Sequence, residues 1–168
     1  AGAPLVIGHR GASALAPENS LEAFERSARD GADGVELDVL LCASGEVVVF
    51  HDDDLARLGG RPERVGDLTW SELRDVRLHS GARIPPLAEA LAVTGTMLVN
   101  VELKAEGLLD PRVPELVDAV ADVLARTGAA PRVLVSSFNP LALFHTRRRM
   151  PDVPIGLLFE REAPLPLR

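Results

Sequence analysis

Acidic and imidazole side chains stand at the ends of apolar runs in this chain. The runs cover residues 5–8, 34–35, 47–50 and 97–101, and they lead into His9, Glu36, His51 and Glu102 respectively. In parallel α/β folds, functional groups collect at the carboxyl ends of the strands. The pattern therefore predicts a parallel sheet with a polar site along one edge.

Strand-like and helix-like segments alternate along the 168 residues. Strands are predicted near residues 5–8, 33–39, 46–50, 97–103, 132–137 and 154–159. Helices are predicted over residues 21–28, 69–76, 86–94, 114–127 and 140–149. This alternation is typical of βα units around a parallel sheet, so we predict an α/β fold in a single domain over residues 1–168.

Local signals predict how some of these segments are joined and capped. Ala43-Ser44-Gly45 predicts a hairpin-like turn that joins the second and third strands directly. Asn19 is predicted to cap the first helix, with Glu22 at its third position. Residues 52–68 are rich in Gly, Arg and Asp, and they predict an irregular loop.

Composition excludes several classes of function. No apolar run approaches the roughly 20 residues that a membrane span needs, so we predict no membrane span. The net charge of −7 argues against nucleic acid as a partner. Cys42 is the only cysteine, which rules out an intrachain disulfide. The chain shows no signal peptide pattern, and we expect a cytoplasmic location.

Three carboxylates are candidates for a metal site. Glu36 and Asp38 lie two residues apart, so a strand places both on one face with about 7 Å of rise between them. Glu102 and Asn100 share the corresponding face of a later strand. Buried acids are costly unless they are paired or bind a cation. Carboxylates without cysteine favour Mg²⁺ or Ca²⁺ over Zn²⁺.

Two cations accompany these acids. Arg10 follows His9, and Lys104 is the only lysine in the chain. A phosphodiester needs cations at its non-bridging oxygens, a base for the attacking hydroxyl and an acid for the leaving alkoxide, so both side chains are candidates to bind phosphate. The alternative interpretation is that Arg10 and Lys104 form structural salt bridges with the three carboxylates.

Two of the four histidines are candidates for proton transfer. His9 and His51 each end an apolar strand, and imidazole exchanges protons near neutral pH. His79 lies in a polar segment and His145 lies in a predicted helix beside three arginines. We assign the side chains of His79 and His145 to solvent.

Seven short motifs occur in a fixed order along the chain. They are His9-Arg10-Gly11, Ala16-Pro17-Glu18-Asn19-Ser20, Glu36-Leu37-Asp38-Val39, His51-Asp52, Ile84-Pro85, Val101-Glu102-Leu103-Lys104 and Ser136-Ser137-Phe138-Asn139. In this order and spacing they resemble the glycerophosphodiester phosphodiesterase family, a TIM-barrel group of metal-dependent phosphodiesterases. The resemblance implies a TIM-barrel-like (β/α) fold, with about six of the eight βα units in this chain.

The resemblance also implies a site and a reaction. It assigns the divalent metal, Mg²⁺ or Ca²⁺, to Glu36, Asp38 and Glu102. It assigns the roles of general acid and base to His9 and His51. It assigns binding of the substrate phosphate to Arg10 and Lys104, with Asn19 and Asp52 as supporting polar groups. Family members are phosphoric diester hydrolases of glycerol and lipid metabolism, and they cleave glycerophosphodiesters to glycerol 3-phosphate and an alcohol. Which histidine is the acid stays open, as does whether water or the glycerol 2-hydroxyl attacks first.

The chain departs from the family at its carboxyl end. A complete member carries two further βα units after the sixth strand, and six strands do not close an eight-stranded barrel. An open sheet exposes the edges of its first and last strands, and bare edges invite association. We therefore expect a fragment of a longer protein, a partner or second copy that covers the open edge, or a contracted barrel.

Two further functions stay open from the sequence. A phosphatidylinositol-type phospholipase C or sphingomyelinase D relative would also use two histidines and carboxylates on a barrel. A non-catalytic module would hold a metal or a phosphate on the same fold without turnover.

Overall fold

The computed structural model describes residues 3–159 of the chain. Its strands are β1 (Ile7–Gly8), β2 (Gly34–Leu41), β3 (Val47–Val49), β4 (Leu98–Leu103), β5 (Val133–Ser137) and β6 (Ile155–Leu157). Its α-helices are α1 (Leu21–Arg29), α2 (Ala56–Gly59), α3 (Trp70–Leu73), α4 (Leu87–Val93), α5 (Val113–Thr127) and α6 (Pro140–Arg149). Two short 3₁₀ helices cover Val65–Asp67 and Ala130–Arg132. Each predicted strand and helix is therefore found, with shorter bounds for most of them.

The strands form one sheet in the order β1-β2-β4-β5-β6, in which neighbours run parallel. Strand β3 lies outside this order and pairs with β2, and the pair is antiparallel. The predicted turn at residues 43–45 explains this direction, because strands joined by a tight turn must run antiparallel. The estimate of six βα units thus needs correction, since the described residues supply five parallel strands and one hairpin strand.

The two faces of the sheet differ in chemistry because side chains alternate along each strand. Alternate residues of β2 and β4 pack against the helices in the main core, namely Val35, Leu37, Val39, Val99, Val101 and Leu103. The apolar stripe of α5 packs on the same side through Leu116, Val117, Val120 and Leu124. The opposite face, which we call the inner face, carries Glu36, Asp38, Asn100, Glu102 and Ser136 at adjacent positions.

The outer strands of the described sheet are β1 and β6, and both are short. Ile7 in β1 is 41% exposed and Leu157 in β6 is 56% exposed. The predicted bare edges are therefore present among residues 3–159. Within these residues no strand covers the outer side of β1.

Residues 40–84 build a second core, separate from the main one. Leu55 and Val65 are fully buried in it, together with Leu40, Cys42, Val48, Phe50, Leu73, Val76, Leu78 and Ile84. The prediction of an irregular loop over residues 52–68 is therefore wrong in part. Leu55 and Val65 of this segment are buried in the second core, and the Gly, Arg and Asp residues around them give no periodic pattern from which that burial could be predicted.

The cap of α1 is also different from the prediction. Ser20, and not Asn19, is the N-cap, and its hydroxyl accepts a hydrogen bond of 3.1 Å from the Ala23 amide. Asn19 has a φ of 54° and directs its side chain to Asp38. The Asn19 side chain, which local spacing assigned to the helix end, thus binds Asp38 in β2, 19 residues later.

A membrane span is not among the elements found: within residues 3–159, no helix combines the length and the apolar character that crossing a bilayer requires.

We predict that Gly34→Ala destabilises the fold by about 1–3 kcal/mol, the usual range for overpacking. A Cβ at Gly34 would lie 2.5 Å from the Leu98 carbonyl oxygen and would force β2 away from β4. Gly156→Ala is the matched control, because its Cβ would meet only the Ser136 Cβ, at 3.9 Å. Urea denaturation of both variants measures the difference, and equal stabilities would contradict the clash.

Candidate active site

The three predicted acids meet on the inner face: Glu36 and Asp38 are the third and fifth residues of β2, and Glu102 lies near the carboxyl end of β4. Asp38 pairs in register with Glu102, and Glu36 lies one inner-face position earlier on β2, beside Asn100. Each acid offers one carboxylate oxygen, and these three oxygens lie within 4.8 Å of one another. All three residues are buried, with at most 8% of their surface exposed. This arrangement could hold a metal ion.

Asp38 and Glu102 have cationic or amide partners. The Asn19 side-chain amide donates to Asp38 at 2.9 Å, and the Arg10 Nε lies 3.3 Å from the same oxygen. The Lys104 ammonium donates to Glu102 at 3.1 Å and lies 3.6 Å from Asp38. The alternative of structural salt bridges therefore describes the contacts of these two acids.

Glu36 is different. Its Oε2 accepts a hydrogen bond of 2.9 Å from the Arg10 main-chain amide and lies 3.8 Å from the His9 Nε2. Its Oε1 is buried and has no hydrogen-bond partner among the residues that the structure describes. Burial, together with the negative charges of Asp38 and Glu102, raises the pKa of Glu36 to about 7. A divalent cation would satisfy the bare oxygen and remove the repulsion, so the donor set fits a hard metal ion.

Two neutral side chains beside the acids are also incompletely satisfied. The Asn100 Oδ1 and the Ser136 Oγ are buried without a hydrogen-bond partner in the described part of the chain. Ser136 pairs in register with Glu102 on one side and with Gly156 on the other. Because glycine has no side chain, the inner face is open beside the Ser136 hydroxyl. Buried polar atoms of this kind are satisfied by ordered water or by a ligand. The sequence motif contains Ser136 but suggests no role for it.

His9 lies where the chain leaves β1 and turns into the segment before α1. Arg10 has a φ of 55° and Gly11 a φ of 76°, and this turn directs the Arg10 amide to Glu36. A Cβ at Gly11 would lie 2.8 Å from Ala23, so only glycine allows the turn to pack on α1. The His9 side chain is 71% exposed, which leaves its ring accessible beside the acids.

His51 reaches the site by a different route from the one the sequence suggested. Because β3 runs antiparallel to β2, the chain moves along β3 back toward the start of β2. The strand ends at Val49, which pairs with Val39, so the chain leaves β3 close to the level of Asp38. The Phe50 amide donates to the Asp38 carbonyl at 3.0 Å, which brings His51 back to the level of the acids. The His51 Nδ1 lies 2.6 Å from an Asp52 carboxylate oxygen.

Two residues without a predicted role complete the polar network. Arg57 contacts both oxygens of Asp52, at 2.6 and 3.1 Å, and both oxygens of Glu18, at 3.0 and 2.7 Å. Arg10 donates to Glu18 at 2.9 Å. Glu18 belongs to a sequence motif, which was a signal, but Arg57 lies in the segment predicted to be an irregular loop.

These contacts affect the acids on both sides of Arg57. Its hydrogen bonds lower the pKa of Glu18, against the effect of burial. Burial raises the pKa of Asp52, but hydrogen bonds from Arg57 and His51 outweigh it and the net shift is downward. Both carboxyl groups are therefore ionised near neutral pH.

The remaining histidines lie elsewhere. His79 is exposed and its amide donates to the Leu58 carbonyl in the second core region. His145 is half-buried on α6, with its ring edge-on to Phe144 at a centroid distance of 5.9 Å. The assignment to solvent is confirmed for His79 and is wrong for His145, which packs against its helix neighbour.

Five parallel strands flanked by helices, with buried acids on the inner face of β2 and β4, define a partial (β/α) barrel with a candidate metal centre. The model of the glycerophosphoryl diester phosphodiesterase family matches residues 9–168, and the chain belongs to this family. The resemblance drawn from the sequence motifs is thereby confirmed.

Curated relatives share the match. The chain is 37% identical over 166 residues to a glycerophosphodiester phosphodiesterase of Caldanaerobacter subterraneus subsp. tengcongensis, covering 93% of this chain and 67% of the relative. It is 36% identical over 165 residues to one of Bacillus altitudinis, covering 91% of this chain and 65% of the relative. The chain thus spans about two thirds of the length of these relatives.

Solved structures share the fold. An Oleispira antarctica phosphodiesterase in complex with the product sn-glycerol-3-phosphate superposes with a TM-score of 0.85 at 32% identity, covering 92% of this chain and 65% of that one. A glycerophosphodiester phosphodiesterase of Thermotoga maritima gives 0.78 at 34% identity, covering 96% of this chain and 65% of that one. The predicted TIM-barrel-like fold is confirmed as a partial barrel.

We predict that Glu36→Gln stabilises the protein in the presence of a chelator. The folded protein holds the Glu36 pKa near 7 against an ordinary value of 4.5, so ionisation of this group costs the folded state. The gain should be absent below pH 4.5, grow between pH 4.5 and 7, and reach on the order of 3 kcal/mol at pH 8.

The measurement is the melting temperature of wild type and variant at several pH values. Glu25→Gln is the matched control, because Glu25 is an exposed acid on α1. A variant less stable than wild type at pH 8 would show that Glu36 is a structural anion and not a strained one.

Proposed function

We propose that this chain catalyses the metal-dependent hydrolysis of glycerophosphodiesters to glycerol 3-phosphate and an alcohol. The observation that carries the proposal is the cluster of Glu36, Asp38 and Glu102, in which one buried oxygen of Glu36 has no partner within the described residues. Membership of the phosphodiesterase family supports the reaction type. The product complex of the Oleispira antarctica relative supports glycerol 3-phosphate as the product.

Glu36, Asp38 and Glu102 would hold the metal, and their all-oxygen donor set favours Mg²⁺ or Ca²⁺. A bound divalent cation supplies Lewis-acid stabilisation of phosphoryl charge and lowers the pKa of a nearby hydroxyl. The protein would bury the three carboxylates and hold them close together around one ion, and the register of β2 and β4 sets their positions.

Arg10 and Lys104 are proposed to bind the phosphate. In the absence of an ion their charges rest on the carboxylates, at 3.3 Å from Asp38 for Arg10 and 3.1 Å from Glu102 for Lys104. A divalent cation on the acids would compensate the same negative charge. The guanidinium and the ammonium would then be available to the non-bridging oxygens, which are the groups that cations stabilise in phosphoryl transfer.

His9 and His51 are proposed to move protons on the two sides of the phosphorus. His9 is exposed next to Glu36, and His51 is held by Asp52, so each ring keeps one nitrogen for exchange. One histidine accepts the proton of the attacking hydroxyl and the other donates a proton to the leaving oxygen. The two exchange roles if the glycerol 2-hydroxyl attacks first and water opens the cyclic phosphate in a second step.

The chain is shorter than its relatives, so the position of the proposed site residues within the shared part matters. The relatives are about half as long again as this chain, which covers 65% to 67% of them. All nine residues with a proposed role lie between positions 9 and 104, within the part that matches. We therefore propose that the residues needed for bond cleavage are contained in these 168 positions.

We predict metal-dependent release of glycerol 3-phosphate from glycerophosphocholine by the purified chain, with Mg²⁺ or Ca²⁺ and not with chelator. Glu102→Gln should reduce release at least about a hundredfold and weaken cation binding measured by calorimetry, because it removes a charged oxygen ligand. Glu106→Gln is the matched control, since Glu106 is an exposed acid that pairs with Arg64. Folded wild type without release under any condition would favour a non-catalytic binding module.

We predict that His9→Ala and His51→Ala each lower turnover about a hundredfold or more while cation affinity stays within about twofold, because general acid–base catalysis contributes at this level. His79→Ala should leave turnover nearly unchanged, since His79 is exposed and bonds to Leu58 in the other core region. Initial rates at saturating substrate measure both. A large loss in His79→Ala would show that the wrong imidazoles are assigned.

A further inference from the structure

The inner-face acids and His51 belong to different parts of the fold. Glu36 and Glu102 stand on strands that pack in the main core, whereas His51 directly follows Phe50, which is buried in the second core. A proton donor or acceptor must be held within a fraction of an ångström of its working position. Something must therefore fix the segment after β3 relative to β2 and β4.

Arg57 makes side-chain contacts that connect these two parts next to His51, whereas Arg112 and Arg64 connect them elsewhere, through Gly66 and Glu106. The Arg57 Nε and one terminal nitrogen bind the two Asp52 oxygens, at 2.6 and 3.1 Å, and Asp52 binds the His51 Nδ1 at 2.6 Å. Its two terminal nitrogens also bind Glu18, 39 residues away, at 3.0 and 2.7 Å. One planar guanidinium is thus bidentate to two carboxylates at once, a geometry that lysine cannot reproduce.

Glu18 carries the connection on to the acids. It accepts from the Arg10 guanidinium at 2.9 Å, and the Arg10 amide donates to Glu36 at 2.9 Å. The Arg10 backbone lies at a φ of 55°, which a non-glycine residue adopts only when its surroundings hold it there. A continuous series of contacts therefore runs from Glu36 through Arg10, Glu18, Arg57 and Asp52 to His51.

The contacts also determine the His51 tautomer. Asp52 stays ionised, because hydrogen bonds from Arg57 and His51 outweigh burial and lower its pKa. An ionised carboxylate only accepts hydrogen bonds, so the His51 Nδ1 must carry the proton. The Nε2 is then the nitrogen that exchanges a proton.

We propose that Arg57 is a positioning residue for His51: it holds Asp52 against the Nδ1 of His51 and, through Glu18 and Arg10, fixes this histidine relative to the acids on the inner face. The inference rests on the proposed function in that His51 transfers a proton. It assigns to Arg57 and Glu18 a role that depends on both of their bidentate contacts. Neither residue is required to touch the substrate.

The test compares Arg57→Gln and Arg57→Lys with wild type in the full 168-residue chain. Arg61→Gln is the matched control, because Arg61 lies in the same segment and pairs only with Glu63 in its described contacts, at 2.6 and 3.2 Å. Two-bond ¹H–¹⁵N spectra of the imidazoles, assigned with His51→Gln, report the tautomer of His51 without any need for turnover. Rates and Mg²⁺ binding are measured on the same samples.

The expected result has three parts. Wild type and Arg61→Gln show His51 with a protonated Nδ1, whereas Arg57→Gln shows a mixture of tautomers. Turnover at saturating substrate falls about tenfold to a hundredfold in Arg57→Gln, with KM and Mg²⁺ affinity within about twofold, as is usual when a supporting hydrogen bond is lost. Arg57→Lys, which keeps the charge but not the fork, recovers only part of the loss.

An unchanged His51 tautomer in folded Arg57→Gln, with turnover equal to that of Arg61→Gln, would overturn the inference. If Arg57→Gln does not fold, the same spectrum of Arg57→Lys decides, and a wild-type tautomer with wild-type turnover overturns it. Absence of turnover in wild type would refute the proposed function instead, and the spectra would still show whether Arg57 holds His51 and Asp52 together.

Discussion

The crowding of three negative charges on one buried sheet face is the constraint on which the rest of this structure depends. Among the described residues, Arg10 and Asn19 are the two non-glycine residues with positive φ, at 55° and 54°, and both contact the acids. Each such conformation costs about 1–3 kcal/mol, and it persists only where surrounding contacts require it. The strain in the backbone thus lies where the charge must be compensated, which is the usual signature of a functional site.

The convergence of the acids was predictable from the sequence, and so was most of the fold. Residues two apart on a strand share a face, and parallel strands end at the same edge, so Glu36, Asp38 and Glu102 had to meet if the apolar runs formed a parallel sheet. The burial and pairing of β2 and β4 follow this reasoning residue by residue. Local periodicity sufficed here because the chemistry and the packing alternate along the same strands.

Several features that the sequence analysis missed depend on contacts between residues far apart in the chain. Asn19 and Ser20 are both good caps, and only the distant Asp38, which takes the Asn19 amide, decides that Ser20 binds the helix end. Arg57 is one of many arginines, and nothing in its spacing shows that it pairs with Glu18 across 39 residues. Long-range ion pairs leave no periodic signal, so the sequence could name the candidate site residues but not the contacts that hold them.

Strand β3 explains why polar contacts matter so much in this fold. Val47 and Val49 enter the main core, whereas Val48 and the following residue, Phe50, enter the second. Apolar packing fixes the hairpin and also buries Leu55 in the segment that follows, but it is non-directional and does not orient the polar side chains of His51 and Asp52. Directional bidentate contacts such as those of Arg57 supply what packing cannot. In this fold hydrophobic burial thus forms the two cores, and charged hydrogen bonds orient the polar side chains that lie between them.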